Sequence, residues 1–372
     1  MKTSLTSPTA SRVDRQRASE HPWFEWAVAL FSAWFVVGLY LDGWAHVHHL
    51  PDSFFTPWHA IIYSGVLGAA LVLVSTGLLA WRLGAPWRQA LPAGYRLSLL
   101  GVGIFLITGV ADFVWHLVFG IEADLEALYS PPHLVLAAAG ALIASGPLRA
   151  AWYQRQTSPT TWWRAVLSLT LLLAIFSFFT SESHPFDHPW AWVRLRPLAL
   201  DATALGLPAM PAAGVGSQEL VETLGMNSIL IQTGVLMALL LLMIRRWGTR
   251  LPLGWLTFIF ALNGVSMGIF HGTPWAGLVA GLAGMVADIL YRWLQPDVQQ
   301  PPRLRLWSAI VPVVLFSLYF LALLMLGGIW WPIHLWAGGI ALAGVIGWLM
   351  SYLIVPPTLP EPARADTRQQ EG

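Results

Sequence analysis

Apolar residues in this chain come in long runs broken by short polar stretches. They do not follow the one-sided spacing of a water-facing helix. Ten runs stand out, at 24–46, 57–81, 96–119, 132–152, 163–181, 226–245, 253–271, 274–294, 305–327 and 331–355. Each is about 20 residues long, the length that carries a helix across a bilayer. A helix satisfies its own backbone polar groups, so such runs are stable in lipid. The predicted fold is all-α: a polytopic transmembrane bundle of about ten spans, paired as five helical hairpins. Residues 1–22 form a basic tail, 23–355 the membrane domain and 356–372 a second tail. The first run is too long for a signal-peptide core and reads as a retained span.

The basic residues orient this bundle. Lys2, Arg12, Arg15 and Arg17 precede the first run. Later clusters are Arg82, Arg88, Arg96; Arg149, Arg155, Arg164; Arg245, Arg246, Arg250; Arg292, Arg303, Arg305; and Arg364, Arg368. With ten spans all of these fall on one side, and only Arg194 and Arg196 fall on the other. The positive-inside rule then makes both tails cytoplasmic. The expected location is the plasma (inner) membrane of a prokaryote. Composition agrees: 56% of residues are hydrophobic and 10% charged, against about 25% charged in a soluble domain. The net charge of +1 gives no reason to expect nucleic acid. Cysteine is absent, which excludes disulfides, thiolate metal sites and thiol nucleophiles.

The histidines fall opposite the arginines. His46, His48, His49, His59, His116, His133, His184, His188, His271 and His334 all lie at outer span ends or in outer loops, and only His21 lies inside. Many acids share that face, among them Asp42, Asp112, Glu122, Glu182 and Asp187. Exclusion of arginine from the outer face explains the acids but not ten histidines. Such a face concentrates cations.

Two hairpins look like copies. Asp42-x3-His46 ends one rising span and Pro57-x-His59 opens the descending one; Asp112-x3-His116 and Pro131-x-His133 repeat the pattern. Residues four apart share a helix face, and proline suits a first helical turn. Each hairpin therefore brings two imidazoles and a carboxylate to one level, a three-ligand set for Cu, Zn, Fe or Ni. The six residues could form two sites or line one pocket in 23–152. Taken singly, any of these histidines could instead cap a helix or bond a headgroup. Pro332-x-His334 and His271 with Thr273-Pro274-Trp275 are fainter echoes.

The stretches Asp42-Gly-Trp-Ala-His46 and Phe55-Thr56-Pro57-Trp58-His59 resemble the metal-binding segment of the C subunit of the copper membrane monooxygenases. Those enzymes oxidise methane, ammonia or short alkanes. The resemblance implies copper ligation by Asp42, His46 and His59. Asp112, His116 and His133 are similar to the family's second set, with Asp where the family has an Asn-type residue and a longer gap before the last His. The family subunit works beside two others, which implies partner subunits here; a homo-oligomer is the other arrangement considered.

Further polar residues are candidates for extra ligation or support: His49, Tyr63 one turn after His59, Glu182, His184, His188, His271 and His334. The long outer segment 184–225 reads either as a lid over the site or as an interfacial loop. Three functions compete. One is a copper-dependent membrane oxidase or monooxygenase acting on a small apolar or lipid-like substrate. Another is metal binding, sensing or transport without catalysis, although the inner half holds no second tier of histidines. The third is a zinc-dependent intramembrane hydrolase with an activated water, in which Glu182 is the one tempting acid–base residue.

Overall fold

The structure is a computed structural model that describes residues 22–51, 53–120, 124–154, 158–195 and 217–357. The expected tails lie outside the described residues except for Pro22, Pro356 and Pro357, as does 196–216 of the outer segment. The regular structure of the described residues is helical, with one isolated bridge between Trp192 and Ile329 and no strand.

The helices are α1 (Pro22–Val47), α2 (Pro57–Arg82), α3 (Arg96–Phe119), α4 (Asp124–Tyr129), α5 (Pro131–Ala144), α6 (Gly146–Tyr153), α7 (Pro159–Phe179), α8 (Ser217–Trp247), α9 (Trp255–Met267), α10 (Trp275–Leu294), α11 (Pro301–Met325) and α12 (Ile333–Ile354). α5 and α6 form one span joined at Ser145. Nine helical stretches among the described residues are long and apolar enough to cross a membrane. Their outward positions are apolar too: Ile107, Val110, Leu117 and Val118 of α3 are all exposed. A water-facing helix would carry polar side chains there. The chain is an integral membrane protein of helical-bundle class.

Four of the expected hairpins pack intimately: α1 on α2, α3 on α5, α9 on α10 and α11 on α12. In the first, a Cβ on Gly65 would lie 2.6 Å from the Phe35 backbone nitrogen. Only glycine lets the two helices approach so closely. The third pair, α7 and α8, touches more sparsely, and α8 runs mainly along α12. α7 is the most enclosed span, packed on α9, α6 and α1.

Two elements differ from the hydropathy reading. α8 begins at Ser217 rather than near 226, because Gln218, Glu219 and Glu222 open it with polar turns. The expected span 253–271 is a helix of 13 residues, Trp255–Met267. At about 1.5 Å per residue it reaches only about 20 Å. A turn closed by Thr273 N–H donating to the Gly268 carbonyl (2.9 Å), with Gly272 at φ +64, ends it early. The segment that follows α7 fills the space beyond. Phe186, Trp190 and Ala191 are buried there, and Thr273 Oγ1 donates to the Phe186 carbonyl at 2.7 Å. Further on, Val193 N–H donates to the Gly328 carbonyl and Trp330 N–H to the Ala191 carbonyl, both at 3.1 Å. Residues 184–195 are thus a strap embedded across the ends of α9 and α11.

Candidate metal centre

The first set sits where α1 ends and α2 begins. Thr56 caps α2, its Oγ1 accepting the His59 N–H at 3.4 Å, and Pro57 occupies the first turn. This cap fixes His59. Asp42 Oδ1 lies 3.2 Å from His59 Nε2 and 3.9 Å from His46 Nε2. His59 Nδ1 stands 3.0 Å from the Ser53 carbonyl and 2.8 Å from Thr56 Oγ1. A carbonyl only accepts, so Nδ1 carries a proton and Nε2 is turned toward the Asp42 carboxylate. A ligating histidine whose other nitrogen donates to a carbonyl is the usual metal pattern. Tyr63 stacks on His59 with ring centres 5.9 Å apart. His49 is exposed and in the left-handed region (φ +50), its N–H donating to the His46 carbonyl at 2.9 Å.

The second set repeats this at the end of α3 and the start of α5. Asp112 is 7% exposed. His116 Nε2 is 3.6 Å from Asp112 Oδ2, and His133 Nε2 is 3.3 Å from Oδ1. His116 Nδ1–H donates to the Gly120 carbonyl at 3.2 Å, again leaving Nε2 toward the carboxylate. One ligand atom from each residue lies within 4.8 Å of the others, so the group could hold a metal ion. Asp112 Oδ1 is buried and accepts no hydrogen bond. Among the described residues it has no Lys or Arg partner, and a buried carboxylate without a cation is costly. The donor set fits a metal. The four additional residues between His116 and His133, relative to His46 and His59, are taken up by α4. The two sets are neighbours: Phe54 packs on Tyr63 (5.5 Å) of the first hairpin and Phe113 (5.0 Å) of the second.

A third group lies in the strap. Asp187 is 3% exposed. His271 Nδ1–H donates to its Oδ1 at 2.7 Å, and His188 Nδ1 is 3.4 Å from its Oδ2. His188 Nε2 faces Glu182 Oε2 at 3.6 Å. Burial alone would push the Asp187 carboxyl up, but the two imidazoles outweigh it and hold it below its ordinary value. Burial likewise opposes charge on His188, yet Asp187 and Glu182 raise its pKa above the ordinary value. This group also could hold a metal ion. The sequence pointed to His188, His271 and Glu182 separately. Asp187, which joins them, was visible only as one acid among several on the outer face.

His184 turns away from this group. Its Nδ1 accepts the Phe186 N–H at 3.2 Å and its Nε2 meets the Asn263 side chain at 3.3 Å. Both ring nitrogens are engaged, and burial pushes its pKa down to about 3. The unfolded ring titrates near 6.5, so between that pH and about 3 the unfolded chain binds a proton that the folded one does not. His184 therefore favours folding fully above pH 6.5 and progressively less as pH falls, by about 1.4 kcal/mol per unit. Acidification from pH 7 to 4 is expected to lower the amide protection factors in 181–192, and His184→Gln to flatten that response. An equal response in both proteins would refute the assignment. His334, exposed on the first turn of α12, stands apart from all three groups.

No protein-family description, curated protein or solved structure matches the chain. The site is read from its own geometry: an integral membrane bundle with His/Asp groups that could hold metal ions.

Proposed function

We propose that this chain is a membrane copper protein whose two hairpin sets hold copper, and that it works as a copper-dependent oxidase or monooxygenase, or as a subunit of one. The observation that carries the metal reading is the orientation of His59 and His116. In both, Nδ1–H is committed to a backbone carbonyl and Nε2 faces a carboxylate. The resemblance of Asp42, His46 and His59 to the monooxygenase C subunit supports copper over zinc. Ligands of imidazole and carboxylate suit either.

Copper, when bound, would supply a redox centre for dioxygen. The protein's own part is to orient the ligands and admit substrate. α3 presents apolar side chains outward up to the level of His116, among them Val114, Leu117 and Val118. A small apolar substrate dissolved in lipid therefore meets the second set from the side. Inserting one oxygen atom of dioxygen into a C–H bond consumes two electrons and two protons, and the other oxygen atom leaves as water. A reductant must deliver them, which is the place for a partner subunit. The one-sided arginines support an extracytoplasmic position for this rim.

Metal analysis of the purified chain tests the reading. Two equivalents of copper are expected at the hairpin sets, one lost in His46→Ala/His59→Ala and one in His116→Ala/His133→Ala. Loss of an outer partner alone costs about 10–100-fold in affinity, so loss of two ligands should empty a set. Unchanged metal content would end the proposal, and zinc in place of copper would turn it toward the hydrolase.

A further inference from the structure

We infer that Asp187, His188 and His271, with Glu182 at the rim, form a third metal centre that takes a divalent transition-metal ion and pins the strap to the turn between α9 and α10. It does not rest on the hairpin reading, since it shares no residue with those sets.

Four observations carry it. One donor atom from each of Asp187, His188 and His271 lies within 4.8 Å of the others, and the two imidazole rings are 4.7 Å apart. The donors come from separate parts of the fold, with His271 84 residues beyond Asp187. Among the described residues, neither Asp187 nor Glu182 pairs with Lys or Arg. The buried carboxylate of Asp187 has only imidazoles for company, with the exposed Glu182 on the far side of His188, and a divalent ion would serve both. Finally, His188 Nδ1 is buried and makes no hydrogen bond. It points at a carboxylate oxygen 3.4 Å away, a separation suited to two ligands of one ion but not to a good hydrogen bond.

The mix of two imidazoles and carboxylates suits Zn, Cu, Fe or Co. The ion would take the place of the Nδ1 proton that His271 now donates to Asp187, and the neutral ring would keep one proton on Nε2, at its half-exposed side. The strap is built of isolated turns, such as Asp187 N–H donating to the His184 carbonyl at 3.1 Å, rather than of a continuous helix. An ion joining it to the α9–α10 turn would hold it across the end of the short helix α9.

The test uses the full chain in detergent, stripped with chelator and titrated with Co²⁺, whose visible absorption reports coordination. The background carries His59→Ala and His133→Ala, which weaken both hairpin sets. In that background a single Co²⁺ with tetrahedral-type absorption is expected, lost on adding either His188→Ala or His271→Gln. The glutamine retains a donor for Asp187 but is a poor ligand, so the fold is spared. A second readout needs no variant at this centre: in the background protein, chelator should raise amide exchange in 181–192. Overturning results are no Co²⁺ in the background protein, Co²⁺ retained by both further variants, or exchange in the strap indifferent to chelator. If the unmodified chain binds one ion and loses it only with His188 or His271, the hairpin reading fails and this centre stands.

Discussion

Asp112→Leu is expected to have two opposite effects: the second set loses its metal, and the metal-free protein becomes no less stable. Asp112 is buried in the last turns of α3, its Oδ1 without a hydrogen bond, and its ion-pair partners among the described residues are His116 and His133. Desolvating that carboxylate is a cost of the metal-free fold. Replacing buried ionic groups with apolar ones of similar size is often neutral or stabilising, by about 1–4 kcal/mol. Metal affinity moves the other way, because the anionic ligand is gone, and should fall by well over the ~100-fold that an outer partner is worth. A purely structural ion pair predicts the reverse. Breaking a buried pair costs about 3–5 kcal/mol, with metal content untouched. Thermal unfolding in detergent with chelator present, beside metal analysis, separates the two. A large drop in melting temperature with unchanged metal would remove Asp112 as a ligand.

The parts of the architecture that local chemistry dictates were legible before any coordinates. Hydropathy and the one-sided arginines gave the bundle, because crossing lipid imposes a length and a composition on each helix. Asp-x3-His was readable because four residues make about one helical turn, and Pro-x-His because a capped first turn fixes its side chain. Tertiary facts were not readable. α9 stops at Met267 because a turn around Gly268 and Gly272 closes there, although Ile269 and Phe270 keep the sequence apolar. α8 starts early because polar residues can open a helix without satisfying a hydropathy window. His184 was one of the candidate ligands, but its partners Phe186 and Asn263 bury it in a structural role. Asp187 and His271 meet across 84 residues, and no local spacing announces such a pair. The usable signal was the density of acids and imidazoles in 182–188, beside Pro185 and Pro189.

Gly43→Ala is expected to be destabilising and to cost the first set its metal, against the usual sign for a helical glycine. At an open helical position such as Gly103, where an added Cβ meets nothing within 4 Å, alanine should stabilise by roughly 0.5–1 kcal/mol. At Gly43 the new Cβ would lie 2.7 Å from Phe178 Cε2 and 2.9 Å from Phe270 Cε1. Those rings cannot retreat easily. Phe270 is stacked on Tyr40, with centres 5.3 Å apart and planes within 8°, and the Tyr40 hydroxyl donates to the Ala174 carbonyl at 2.9 Å. The last turn of α1 must move instead, at an overpacking cost of roughly 1–3 kcal/mol. Asp42 is the adjacent residue, and its 3.2 Å approach to His59 does not survive a shift of that turn. The second set, on α3 and α5, should keep its metal. Gly43→Ala/Phe178→Leu should recover part of both stability and metal, since the smaller side chain opens the space that the new methyl needs. If Gly43→Ala stabilises as much as Gly103→Ala and leaves the metal content alone, the close seat of α1 on Phe178 and Phe270 does not position Asp42, and the first set owes its geometry to the α1–α2 hairpin alone.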